Sequence, residues 1–197
     1  ILDKIITKYL KDSKSSLDKL IKSDKKKLIA TAKLLIKSLN NNKKILICGN
    51  GGSASDSQHF AAELVGRFKK NRKSFPAISL NTDTSAITAI GNDYGFSKIF
   101  SRQIEGIGNK GDILFAISTS GNSKNIIEAA IAANKKKIKI VGLTGKNESD
   151  LEKKSNLCIK VPSNTTAHIQ ELHIIVIHLL CSLIEFEILD IGKLGNT

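Results

Sequence analysis

His59 and Glu63 stand four residues apart, the spacing that places an imidazole and a carboxylate on one face of a helix. His178 lies far along the chain, inside the apolar run Ile174-Ile175-Val176-Ile177-His178-Leu179-Leu180. A polar ring in such a run needs a partner to offset its desolvation. Gln170 precedes it by eight residues, within the same broad helical stripe, whereas His173 points well away from His178. A carboxylate and an imidazole that meet can hand protons to and from a bound molecule near neutral pH. Taken singly, each has an ordinary structural reading, a surface pair or a packed core histidine.

Two further stretches suit a phosphate. Gly49-Asn50-Gly51-Gly52-Ser53-Ala54-Ser55 is a glycine-rich turn leading into a helix, where the backbone can approach an anion closely and free N–H groups await it. It also fits a loose G-x-G-x-x-A dinucleotide pattern, but Lys69 and Lys70 stand where that pattern needs an acid, so no nucleotide cofactor is expected. In Ser118-Thr119-Ser120-Gly121-Asn122-Ser123 four hydroxyls precede a helix expected to begin near Asn125. Capping needs one such residue, and the excess points to phosphate.

These residues require a scaffold that brings distant segments together. The first ~40 residues carry apolar positions at helical spacing, which predicts two helices ended by Asn40-Asn41-Asn42. Short apolar runs then alternate with longer amphipathic ones. Strands are expected at 44–48, 77–80, 112–117, 139–143 and 157–161, with helices from about Ser55 to Phe68 and from about Thr84. That alternation predicts an α/β fold, a five-stranded parallel sheet covered on both faces. Ligands of such sheets sit beyond the C-terminal strand ends, where both candidate loops fall.

With 197 residues, 41% hydrophobic and 25% charged, the chain can bury a sizeable core as one domain. The net charge of +13 suits a phosphate-bearing partner, yet the lysines are scattered and aromatics make up 5%, so nucleic acid is not expected. Cys48, Cys158 and Cys181 form no CxxC pair and suggest a reducing compartment. No charged-then-apolar leader opens the chain, and the run Ile174 to Ile184 is too short to span a bilayer, so a cytoplasmic protein without a membrane partner is expected. Methionine is absent even at position 1, which suggests that the native start is missing.

The ordered set of motifs is recognisable. Gly49 through Ser55, Gln58-His59-Phe60-Ala61-Ala62-Glu63-Leu64, Gly66-Arg67-Phe68, Gly91-Asn92-Asp93, Ile117 through Ser123, Leu143-Thr144-Gly145 and Ile169-Gln170-Glu171-Leu172-His173 closely resemble the bacterial phosphoheptose isomerase family, within the sugar isomerase (SIS) fold. The resemblance runs from about Lys43 to Glu187. It implies a three-layer, flavodoxin-like sandwich forming one domain over 1–197, with N-terminal helices at 1–42 and a parallel core at 43–190. It also implies that Glu63 and His178 are the catalytic acid/base pair. Substrate contacts would come from Asn50, Gly51, Gly52, Ser53, Ser55, Glu63, Arg67, Asn92, Asp93, Ser118, Thr119, Ser120, Ser123 and Gln170. His59, Glu63, Gln170 and His178 match the zinc ligands of relatives, one ion per subunit, and a homotetramer is implied. His168 departs from the arginine that relatives often carry.

The implied reaction converts sedoheptulose 7-phosphate to D-glycero-D-manno-heptose 7-phosphate, feeding bacterial lipopolysaccharide heptose. Two alternatives come with the fold. One is a non-catalytic relative that binds the replication initiator, which Leu80-Asn81-Thr82-Asp83 resembles but which lacks the glutamate and the final histidine. The other is an isomerase of another phosphosugar.

Overall fold

The computed structural model describes residues 1–23 and 25–191. Two helices, α1 (Leu2–Lys22) and α2 (Lys26–Asn40), lead into β1 (Ile45–Cys48), α3 (Gly52–Val65), β2 (Ala77–Ser79), α4 (Thr84–Tyr94) and α5 (Ser101–Ile107). There follow β3 (Ile113–Ser118), α6 (Lys124–Lys135), β4 (Lys139–Thr144), α7 (Asp150–Lys154), β5 (Leu157–Lys160) and α8 (Thr166–Phe186). The strands pair in parallel throughout, in the order β2-β1-β3-β4-β5. The five expected strands are present, each within a residue or two of its predicted bounds.

Strand residues alternate between two cores, which is why their sequences read as unbroken apolar runs. Ile45 and Ile47, with Ile113, Phe115 and Ile117, pack under α2, α3 and α8. Leu46 and Cys48, with Leu114 and Ala116, face α5 and α6 on the other side. The result is the expected three-layer sandwich. By length and composition α8 could cross a membrane, but Leu172, Val176, Ile177, Leu180 and Ile184 are buried in the first core.

The glycine-rich turn is shorter than its sequence suggests. Gly51 adopts a positive φ of 54° and α3 begins at once at Gly52, so Ser53 to Ser55 lie in its first turn rather than ahead of it. At the far end α3 stops at Val65 instead of near Phe68. The buried Arg72 guanidinium donates to the carbonyl oxygens of Glu63 (2.7 Å) and Leu64 (2.9 Å), capping the helix from the following loop. Arg72 in turn meets Glu185 on α8 at 2.9 Å, and the backbone N–H groups of Phe68, Lys69 and Lys70 donate to the same carboxylate. This buried cluster ties the last turns of α3 to α8.

Candidate active site

The strand order places the topological switch between β1 and β3, whose crossovers leave in opposite directions. The loops leaving those two strands are the glycine turn and the hydroxyl loop. Asn50 and Asn125 join them through two reciprocal amide hydrogen bonds of 2.8 Å. Asn81, after β2, donates to the Gly49 carbonyl (2.9 Å) and accepts from the Gly49 N–H (3.2 Å), fixing the turn from its other side.

In the hydroxyl loop, Ser123 occupies the N-cap position of α6 yet its side chain caps nothing. Its Oγ instead lies 3.3 Å from Ser118 Oγ, at the helix N-terminus. Thr119 and Ser120 line an adjoining cavity of about 340 Å³, with Lys146 on its wall. Glu148 also lines that cavity, and Ser118 and Ser123 are not on its wall. The setting for an anion is the hydroxyl loop itself, where the free N–H groups and the dipole of α6 begin.

The titratable groups meet between α3 and α8. His59 Nε2 is 2.9 Å from His178 Nε2 and 3.4 Å from Glu63 Oε1. One ring therefore donates to the other, since two cationic imidazoles at that distance would repel. Phe68 stacks on the His178 ring, its centroid 5.5 Å away. Glu63 and His178 are half-buried. Two turns nearer the start of α8, Gln170 lies over Gly52 so closely that any Cβ at that glycine would collide with its amide. His173 points away, as expected. Its buried ring makes no hydrogen bond of normal geometry beside the Thr144 backbone, and burial pushes its pKa down to about 4.

His59, Glu63 and His178 offer ligand atoms that all lie within 4.8 Å of one another, so the group could hold a metal ion. Two imidazole nitrogens and a carboxylate oxygen are a donor set that zinc accepts, with a fourth position left over. A tetrahedral ion would need the two nitrogens somewhat farther apart than 2.9 Å, a small rotation on the exposed side of His59.

Not every predicted site residue joins this cluster. Asn92 and Asp93 are on α4 and bond to each other at 2.8 Å, at its exposed end. Arg67 is also exposed. Three contributors escaped sequence reading. Asp56, on the first turns of α3, has a buried Oδ2 without a partner; burial pushes its carboxyl up to about 6, against the pull of nearby His59. Asn125 and Arg72 act across loops, a relation that local spacing does not reveal. His168, the departure from the expected arginine, binds Glu171 at 3.0 Å, and Tyr9 (2.5 Å) and Ser13 (2.7 Å) on α1 donate to the same carboxylate. Glu171 thereby fastens α1 beside Gln170.

A SIS-domain family model matches residues 8–145, which defines the class as a SIS-domain protein. A phosphoheptose isomerase of Helicobacter pylori is 50% identical over 185 residues, 94% of this chain and 96% of the relative. That of Helicobacter hepaticus is 54% identical over 166 residues, 84% and 83% of the two chains. The solved structure of phosphoheptose isomerase GmhA from Neisseria gonorrhoeae superposes with a TM-score of 0.89 at 41% identity, covering 94% of this chain and 99% of that one. A phosphoheptose isomerase from Francisella tularensis gives a TM-score of 0.89 at 39% identity, covering 93% and 97%. The chain belongs to the phosphoheptose isomerase family.

Proposed function

We propose that this chain interconverts sedoheptulose 7-phosphate and D-glycero-D-manno-heptose 7-phosphate in bacterial heptose synthesis. The observation that carries this reading is the meeting of Glu63 on α3 and His178 on α8, helices far apart in sequence. Moving a carbonyl between C1 and C2 requires removal of a carbon-bound proton and transfer of an oxygen-bound one. The Glu63 carboxylate takes the proton from C1 of the ketose and returns it to C2, while His178 serves the oxygens of the enediol. Ser118, Thr119, Ser120 and Ser123 hold the phosphate, with Asn50, Gly51, Gly52, Ser53, Ser55 and Gln170 along the sugar. Phe68 against the His178 ring limits its rotation and keeps water from that side.

Zinc, held by His59, Glu63 and His178 with Gln170 as the fourth ligand, would supply Lewis-acid polarisation of the substrate carbonyl. Glutamine is a weak ligand, and a metal-bound glutamate is a poorer base, so the proton roles of Glu63 and His178 do not depend on permanent coordination.

We further infer a cytoplasmic homotetramer whose sites lie at subunit boundaries. In one chain α4 has no buried residue, and α1 exposes Leu2, Ile5, Ile6 and Leu10. Asn92, Asp93 and Arg67 would reach substrate through this assembly. Each chain acts as a single domain over 1–197, the helices of 1–42 resting on the core of 43–190; residues 192–197 lie outside the described part.

Incubation with sedoheptulose 7-phosphate in deuterated water is the decisive test. The aldose product should carry deuterium at C2, and Glu63→Gln should reduce turnover by at least ~10²-fold. Turnover at the wild-type rate in that variant removes Glu63 as the base. No conversion by the wild type, alongside binding to a replication initiator, would favour the non-catalytic relative.

A further inference from the structure

At the opposite end of the sheet from the active site, a cavity of about 560 Å³ is lined by Lys37, Lys43, Lys110, Lys137 and Lys139. Lys43 and Lys110 stand just before β1 and β3, and Lys139 opens β4, where the strands enter the sheet. Among the described residues no carboxylate lines the cavity, and Leu34 and Ile113 form apolar parts of its wall. Among the same residues none of the five lysines makes an ion pair. The carboxylate close by in sequence, Asp112, is already taken by the Lys44 ammonium at 2.6 Å and by the N–H groups of Lys44 and Asn109.

The bland explanation is that these lysines offset helix dipoles, because α2 and α6 both end here. Two helix C-termini present about −1 elementary charge in all, well short of five ammonium groups. The backbone adds a second, independent observation. Both helices end in Schellman motifs: Lys43 N–H reaches the Ser38 carbonyl and Ile138 N–H reaches the Ala133 carbonyl. The left-handed positions of these motifs are Asn42 (φ 54°) and Lys137 (φ 60°), the two non-glycine residues with positive φ among those described. Asparagine tolerates that conformation. Lysine does not, and glycine would fit without strain. The strained residue is therefore one whose side chain is a cavity cation, the association expected when a conformation is retained for binding. Gly111 (φ 94°) completes the wall, with the Lys43 stem 3.1 Å from where its Cβ would be.

We propose that this cavity is a second anion site, for a ligand with two or more linked phosphates whose organic part rests on Leu34 and Ile113. Its volume and five cations exceed what a single phosphate uses, and its apolar wall suits a nucleoside di- or triphosphate. α6 runs from the hydroxyl loop at its N-terminus to this cavity at its C-terminus, so one helix touches both anion sites.

The test is calorimetric titration of the full chain with ADP, ATP, pyrophosphate and AMP, in the presence of saturating sugar phosphate to block the hydroxyl loop. Saturable binding is expected for the first three, weaker by about tenfold for AMP, and falling as salt rises. ADP tighter than pyrophosphate identifies a nucleotide source; equal affinity identifies inorganic diphosphate. Lys43→Glu with Lys110→Glu should weaken binding by about tenfold or more while turnover without added ligand stays unchanged. Lys137→Gly should lower affinity yet raise the melting temperature, because it removes both a cation and the backbone strain. Absence of saturable binding, AMP as tight as ADP, or wild-type affinity in both variants overturns the proposal.

Discussion

Ser123 separates two meanings of the same residue type. A serine at a helix N-cap ordinarily contributes about 1 kcal/mol by accepting a backbone hydrogen bond. Here the hydroxyl makes no such bond and lies beside Ser118 Oγ instead. Ser123→Ala is therefore expected to leave the melting temperature within about a degree, while raising KM for the sugar phosphate several-fold. A loss of stability typical of a cap would return Ser123 to a purely structural role. His173 carries a different consequence. Its folded pKa of about 4 lies below the value of about 6.5 in an unfolded chain. Such a group contributes stability fully above the unfolded pKa, and the contribution is lost as pH falls through 6.5 toward 4, by on the order of 3 kcal/mol. Thermal melts between pH 7.5 and 4.5 should fall steeply, and His173→Leu should flatten that slope.

At the scale of elements, the strands were legible because a parallel sheet buried on both faces demands continuous apolar runs, and Ile113 to Ile117 is such a run, of strand length and bounded by the turn residues Gly111-Asp112 and Ser118 to Ser123. The hydroxyl loop and the His59–Glu63 spacing were legible for the same reason, since both are local. The start of α3 was not, because the positive φ at Gly51 lets the helix begin sooner than the glycine count suggests. Nor was the end of α3, which is set by Arg72 and Glu185, 113 residues apart. Burial works against the Glu185 charge, but three backbone N–H donors and Arg72 hold its carboxyl below the usual carboxylate range. Removing Arg72 leaves the buried Glu185 carboxylate with its backbone donors but without the guanidinium counter-charge, so Arg72→Met should cost about 3 kcal/mol. Chemical denaturation should register that loss. Because Arg72 also binds the Glu63 carbonyl, turnover measured below the melting point should fall as well, an effect that simple loss of folded protein would not give. Unchanged kcat in the folded fraction would limit the pair to stability.

At the scale of the molecule, charge and apolar surface pull in opposite directions. The +13 charge of each chain repels its copies, whereas the exposed face of α1, with Leu2, Ile5, Ile6 and Leu10, favours burial. Burying each such side chain contributes about 1.5–3 kcal/mol, so four of them on each chain can hold an assembly against a repulsion that salt screens within about 10 Å. Association should therefore tighten as ionic strength rises, the reverse of an assembly held by ion pairs. Light scattering during size exclusion is expected to give four times the mass of the chain at moderate salt. Ile6→Glu with Leu10→Glu should reduce that mass while leaving the helical signal intact, since neither side chain belongs to the core. On the proposed assembly, in which the exposed Asn92 and Asp93 serve a neighbour's site, the isomerase activity should fall with the mass. A variant of monomer mass that kept full turnover would place the whole site within one subunit and leave α1 with no part in the chemistry.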